Sequence, residues 1–328
     1  MRIQYQKLYD KFLEILLDRG FTEEKAELAA KIFADSSLDG FQSHGVNRFP
    51  EFIEMIDQGY VDIEAEPEKV DTNGNIEIYD GNLGPGALNA HQIMEKAIAK
   101  AKKEGVAVMA LRNTNHWMRG GSYGWQAAEA GCGAICFTNT LPNLPPWGAK
   151  ESKLGNNPMV MAIPRQEKHI VLNMAVSQYA YGTLGEYEME DRDLPYPGGY
   201  NKEGELTTDP AEILETMRPL PVGYWKGSGL SMMLDLFSSL LSGGLNTFLI
   251  GKKEREHAIS QLFMVFDMED KINEETTEQT VDSVHSAERV NKDERPRYPG
   301  EGTYERRKKN LKKGIPVQKE AWEKLKEL

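Results

Sequence analysis

Apolar residues recur every three to four positions through the first 60 residues, and beyond Pro67 they come in short, nearly unbroken runs. The first spacing belongs to helices buried along one face and the second to buried strands, so the chain must join a helical part to a sheet. Leu8, Phe12, Ile15 and Leu16 share one helical face, and Arg19-Gly20 supplies a stop. Thr22 can cap a second helix, with Glu23 and Glu24 beside its N-terminal dipole. Leu28, Ala29, Ile32 and Phe33 form its buried side and Gly40 its end. A third helix carries Phe49, Phe52, Ile53 and Ile56 and stops at Gly59.

Past Pro67 the signals change. Asn73-Gly74 marks a hairpin, with Ile76 and Ile78 alternating after it. Leu88 to Lys103 reads as an amphipathic helix ending at Gly105, and Val106 to Leu111 as a buried strand. Ala134–Thr138, Met159–Ile163, Ile170–Met174 and Leu262–Asp267 are further strand candidates. Leu230, Met233, Leu234, Phe237 and Leu241 mark a long helix, expected to be deeply packed. Tyr196 to Pro210 reads as a long surface loop. The stretch from Glu274 to Glu301 is charged with little periodicity, and Arg306-Arg307-Lys308-Lys309 reads as a solvated helix face. The fold expected is α/β: an α-helical lobe, residues 1–73 and 272–328, and a mixed-sheet α/β lobe, residues 74–271.

Charge and cysteine usage narrow the function. The formal net charge is −12, which disfavours binding to DNA, RNA or an anionic membrane and demands a local cationic pocket for any anionic substrate. No window is apolar enough for a membrane span, and Met1 to Tyr5 lacks the apolar run of a signal peptide, so a cytoplasmic location is expected. Cys132 and Cys136 lie four apart on a strand-like run. Four residues of strand span roughly 13 Å, too far for a disulfide. Two buried thiols in a reducing compartment fit, and no metal site is expected from the His and Cys spacings.

Three segments can carry chemistry. In Ser43-His44-Gly45-Val46-Asn47-Arg48-Phe49-Pro50, an imidazole stands at a helix entrance and a guanidinium four residues on. The imidazole can give a proton near neutral pH, and the guanidinium fork matches a carboxylate. A capping histidine beside a surface arginine is the plain alternative. Asn113 to Gly124, containing His116-Trp117-Met118-Arg119-Gly120-Gly121, follows the strand that ends at Leu111, where open α/β sheets place their ligands. It reads either as a binding loop, its glycines allowing close backbone approach, or as an ordinary strand-to-helix connection. Tyr224-Trp225-Lys226-Gly227-Ser228-Gly229 opens the long helix, where free N–H groups and Lys226 could meet phosphate, or glycine could simply aid packing. Gly81 to Gly86 has the wrong glycine order for a Rossmann turn and reads as structural. His91, His169, His257 and His285 show no partner by spacing.

Together these segments, with Pro145-Pro146-Trp147-Gly148-Ala149-Lys150 and Pro299-Gly300-Glu301, resemble the type-2 malate/L-lactate dehydrogenase family along nearly the whole chain. Ser-His-Gly-x-x-Arg is the family-level mark. His116-Trp117-Met118-Arg119-Gly120-Gly121-Ser122-Tyr123-Gly124 is more specific and points towards members that act on keto acids derived from sugars. The resemblance implies a non-Rossmann dehydrogenase fold, a nicotinamide cofactor (NADH, with NADPH possible), reduction of a small anionic 2-keto acid, and a homodimer with active sites near the subunit interface. It makes His44 the proton donor, with Arg48 beside it, and leaves His116 as the other candidate acid–base. It assigns the cofactor to His169, Ile170, Val171, Leu172, Asn173, Met174 and Ala175, to Trp225 and Lys226, and to Gly300, Glu301 and Gly302. Two alternatives stand beside this reading: a dehydrogenase of the same family acting on malate, lactate or ureidoglycolate, and a non-catalytic sugar-acid-binding protein.

Overall fold

The computed structural model describes residues 1–166, 168–270, 272–292 and 294–328; residue 271, the expected lobe boundary, lies outside the described residues. The chain opens with β1 (Arg2–Ile3), α1 (Tyr5–Asp18), α2 (Glu23–Leu38), a 3₁₀ turn (Gln42–His44) and α3 (Phe49–Asp57). The sheet begins with β2 (Glu68–Asn73) and β3 (Ile76–Asp80), followed by α4 (Gly86–Glu104), β4 (Val106–Thr114) and α5 (Gly121–Glu129). Next come β5 (Cys132–Thr138), β6 (Met159–Ile163), β7 (Ile170–Met174), α6 (Tyr181–Met189), β8 (Gly199–Tyr200), β9 (Leu206–Thr207) and α7 (Pro210–Thr216). The chain ends with α8 (Trp225–Ser242), α9 (Thr247–Ile250), β10 (Ile259–Asp267), α10 (Glu274–His285), α11 (Glu301–Lys313), β11 (Ile315–Pro316) and α12 (Lys319–Glu327).

The helical core is built as the spacing predicts. Leu8, Phe12, Ile15 and Leu16 of α1 are buried, the Thr22 hydroxyl accepts the N–H of Lys25, and Gly20 and Gly40 end their helices at positive φ. Phe12, Phe33 and Phe49 meet with ring centroids 4.3–5.9 Å apart. The far end of the chain joins this core. β1 pairs with β11, and Trp322 and Leu325 of α12 pack among the same residues.

Seven strands form one sheet in the order β2-β3-β4-β10-β5-β6-β7, with β3 and β4 parallel and the other pairs antiparallel. Alternation along β10 sorts the two faces: Phe263 and Val265 pack with α4 and α5, and Leu262 and Met264 pack towards α8. Cys132 and Cys136 are buried free thiols on β5.

Several local expectations need correction. The long helix is α8, but only its Leu230, Leu234 and Leu241 reach the sheet; Met232, Met233 and Phe237 are exposed and Leu240 is 75% exposed. Tyr196 to Pro210 contains a short hairpin, β8 paired with β9, before Pro210 opens α7; Gly199 lies where a Cβ would meet the Arg218 carbonyl. The charged stretch holds a helix, α10, with the Asn273 side chain accepting the N–H of Thr276 and only Val281 buried. Among the described residues no helix is long and apolar enough to cross a membrane.

Candidate active site

The Ser43-His44-Gly45 segment takes its shape from close packing on α2. Gly45 stands where a Cβ would lie 2.1 Å from the Ser37 hydroxyl, and that hydroxyl accepts the N–H of Val46 at 2.9 Å. The turn Gln42–His44 results, with His44 N–H donating to the Phe41 carbonyl. Arg48 is the N-cap residue of α3, so His44 and Arg48 sit on a turn and a helix start rather than on one helical face as the spacing suggested. They nevertheless open into one cleft of about 470 Å³.

His116 reaches the same cleft from the loop after β4. Asn115 pins that loop: its amide donates to the carbonyls of Leu83 (2.7 Å), Gly84 (3.1 Å) and Tyr60 (3.1 Å). The Gly81–Gly86 turn therefore serves as scaffold, and a Cβ at Gly86 would collide with the Asn115 carbonyl. Tyr123 donates its hydroxyl to the Trp117 carbonyl at 2.6 Å. The glycines of the motif bring α5 onto the sheet, since a Cβ at Gly120 would strike the Trp117 ring and one at Gly124 would strike Val160, and Gly120 also lines the cleft.

The two imidazoles stack, with centroids 6.1 Å apart and planes at 26°. Met118 N–H donates to His116 Nδ1 at 3.0 Å, so neutral His116 carries its proton on Nε2, facing outward from that bond. His44 Nδ1 lies 3.1 Å from the Ser43 hydroxyl. Burial, then the positive charges of Arg48 and Arg119, lower the His44 pKa to about 4. Burial, Arg48 and His44 hold His116 well below the ordinary imidazole range. Arg48 pairs with Glu51 at 2.6 Å. Glu256, on the same wall, accepts the Leu141 N–H, and its burial raises its pKa despite Arg48. The cleft lining is also rich in amides and hydroxyls, including Thr140, Asn143, Asn156 and Gln178.

The residues expected to hold a cofactor divide into two groups. Asn173, Met174 and Ala175 line the cleft beside the histidines. Val171, Leu172 and Asn173 line an adjoining groove of about 260 Å³ together with Gly300 and Gly302. The chain before α11 runs along β7, with Val171 N–H donating to the Pro299 carbonyl and His169 N–H to the Tyr304 hydroxyl. Trp225 and Lys226 line neither space; both are exposed where α8 begins, and Gly227 is there to fit under the Val222 carbonyl. The Glu301 carboxylate is taken up by His285 Nε2 at 3.0 Å, by Arg295 and by the Tyr298 N–H. Burial alone would raise its pKa, and His285 and Arg295 outweigh that and lower it. His285 thus has a partner that its spacing did not reveal.

A cationic cluster beside this groove was not foreseen. Arg119 is 4% exposed and ion-paired with the buried Asp39, and its guanidinium lies 4.3 Å from the Phe41 ring. Arg306 covers the same ring at 5.3 Å and donates to the Asp39 carbonyl; Arg307 pairs with Asp39 and Asp35. Arg307 is thus a half-buried structural clamp, while Arg306, Lys308 and Lys309 are exposed as the solvated face was expected to be. Arg119, Arg297 and Arg306 all border the groove, which also lies at the N-terminus of α11. Three guanidinium groups at a helix N-terminus fit a pyrophosphate in a chain of net charge −12.

The family model described as malate/L-lactate dehydrogenase matches residues 3–326. The 2,3-diketo-L-gulonate reductase of Haemophilus influenzae is 43% identical, and that of Pasteurella multocida 41%, each alignment covering all of both chains. Among solved structures, the malate dehydrogenase of Pyrococcus horikoshii superposes with a TM-score of 0.90 at 29% identity, covering all of this chain and 94% of that one. The sulfolactate dehydrogenase of Methanocaldococcus jannaschii superposes with a TM-score of 0.89 at 30% identity, covering all of this chain and 96% of that one.

Proposed function

The chain belongs to the malate/L-lactate dehydrogenase family and is an oxidoreductase, and on that premise we propose that it reduces 2,3-diketo-L-gulonate with NADH. The observation that carries the reading is the meeting of His44, His116 and Arg48 in one cleft with the end of β7. When bound, a reduced nicotinamide would supply a hydride to the keto carbon. The chain's own groups do the rest. Arg48 neutralises the substrate carboxylate, and the amides lining the cleft accept from and donate to its hydroxyls. Burial depresses the His44 pKa most; the arriving carboxylate offsets the further lowering by Arg48 and Arg119 and so shifts the imidazole towards its protonated form. His44 then delivers that proton to the carbonyl oxygen, and His116, stacked against it, holds its ring in place.

The names of the relatives and the amide-lined wall support the sugar acid over malate or lactate. The acidic chain and the absence of an apolar membrane-length helix among the described residues agree with action on a small solute in the cytoplasm. The exposed apolar side of α8 supports a homodimer, with Trp225 and Lys226 standing at the start of that same helix. Loss of reduced-nicotinamide absorbance, followed with 2,3-diketo-L-gulonate, oxaloacetate, pyruvate and glyoxylate in turn, tests the function. The expected result is the highest kcat/KM with the diketo acid. Faster turnover of oxaloacetate or pyruvate would replace the substrate, and no turnover of any of them would leave only sugar-acid binding.

A further inference from the structure

A small cavity of about 50 Å³ adjoins the cleft, and Arg48, His116, Met118 and Glu256 line both, forming the wall between them. Two polar atoms of the residues around this cavity are buried without a hydrogen-bond partner among the described residues: Asn115 Oδ1 and Arg255 Nε. One accepts and the other donates, and buried polar atoms are rarely left unpaired. The space exceeds the ~10–15 Å³ that a single water needs. An amide oxygen, a guanidinium N–H, an imidazole and a carboxyl supply the partners that bound water requires. Glu51 and Arg255, which also line the cavity, are partly exposed and open it to solvent. The cavity is thus built to hold ordered water against the far side of His116 and Glu256.

Glu256 is the carboxyl of that wall, and the reaction as described leaves it without a task. The Leu141 N–H donates to its Oε2 at 2.9 Å, and its Oε1 makes no hydrogen bond among the described residues. The two nearby guanidinium groups are bound elsewhere, Arg48 to Glu51 and Arg255 to Glu54, each at 2.6 Å. Burial raises the Glu256 pKa, outweighing the Leu141 N–H and Arg48, and Glu51 raises it further. The imidazoles move the other way, His44 to about 4 and His116 well below the ordinary range. The usual order is therefore inverted, with Glu256 above an ordinary 4.5 and His44 below it. The backbone beside Glu256 is strained as well. Ala258, two residues on and 6% exposed, lies at φ 56°, a conformation that a side chain disfavours and that gathers at functional sites.

We infer that Glu256 is a proton relay, passing protons from water in the small cavity to the imidazoles of the cleft. The inference rests on the histidine acid proposed above. In each turnover the keto carbon gains a hydride, and its oxygen takes the proton of an imidazolium, which becomes a neutral imidazole. The Glu256 carboxyl then gives its proton to that imidazole and becomes a carboxylate. A proton from solvent, carried by water in the cavity, restores the carboxyl. One solvent proton is consumed for each hydride transferred, as the reduction requires. The cavity also gives that proton an entrance that substrate in the cleft does not block, and it accounts for a carboxyl left without an ion pair in a site for anions.

Glu256→Gln keeps the shape of the side chain and the acceptor for Leu141 but cannot carry the proton. With 2,3-diketo-L-gulonate and NADH in weakly buffered solution, its kcat should fall about 10²-fold, the low end for an acid–base group, with NADH affinity and keto-acid KM unchanged. Added formate or imidazole buffer should restore the variant in proportion to the buffer's acid form and leave wild type unmoved. A glutamate with a merely structural role would not be replaced by a small acid in solution. Glu256→Asp, an acid of shorter reach, should be slowed less and restored by the same buffers, which keeps the test open if Glu256→Gln does not fold. A wild-type kcat in Glu256→Gln, or a loss in either variant that buffer acid does not relieve, would overturn the relay. Impaired turnover of His44→Asn in the same assay would then leave the histidine reading standing. Wild-type turnover in both His44→Asn and His116→Asn would overturn that reading and the relay with it.

Discussion

At the scale of single residues, His44 is the group whose environment says most. It is held neutral by burial and by Arg48 and Arg119, with a pKa of about 4 against an ordinary 6.5. A histidine depressed in the folded state leaves the unfolded chain binding more protons between those two values. Its contribution to stability is therefore complete above about pH 6.5 and is lost as pH falls towards 4. His44→Gln should flatten the fall in chemical-denaturation stability across that window, relative to wild type. An unchanged slope would mean that the imidazole is not held neutral. Arg48 is tied to Glu51 on one side and faces the cleft on the other. Arg48→Lys keeps the charge and loses the fork, so the KM for the keto acid should rise roughly 10-fold or more while NADH affinity holds. Equal KM values would confine Arg48 to its ion pair. Ser43-His44-Gly45 and His116 were legible because their residue types carry chemistry in a short stretch of chain. The Asp39–Arg119 pair was not, because its partners lie 80 residues apart and only the fold brings them together.

At the scale of elements, strands and amphipathic helices were legible wherever an apolar period met the chain's own core, as in α1, α2 and β10. Periodicity failed in two places for opposite reasons. α10 buries only Val281 and so carries almost no pattern. α8 carries a strong pattern, yet much of its apolar surface faces outward, since a sequence cannot tell a helix buried in its own core from one waiting for a partner. If that face meets a second copy, Leu240→Glu should convert a dimer into a monomer in sedimentation velocity with the far-ultraviolet circular dichroism unchanged. A wild-type monomer at assay concentration, or a variant that still dimerises, would contradict the homodimer.

At the scale of the whole molecule, the acidic chain gathers three arginines around one line of residues. Arg48, Arg119 and Arg306 border a channel that follows β7 from His169 to Ala175, between the helices of the two chain ends and the sheet. On the proposed function, that arrangement would give an anionic cofactor and an anionic substrate a common path through a repulsive outer field. The fold-level reading of helical part plus mixed sheet follows from period and length alone; the channel does not, since it forms between elements far apart in sequence. The most direct test of the whole arrangement is a single-turnover experiment with enzyme in excess over 2,3-diketo-L-gulonate at saturating NADH, comparing wild type, His44→Asn and His116→Asn. The expected result is a rate constant for NADH oxidation that falls by ~10²–10⁴ in His44→Asn, with NADH affinity retained, the usual cost of losing a general acid. A wild-type rate constant in His44→Asn, with turnover abolished only in His116→Asn, would contradict it.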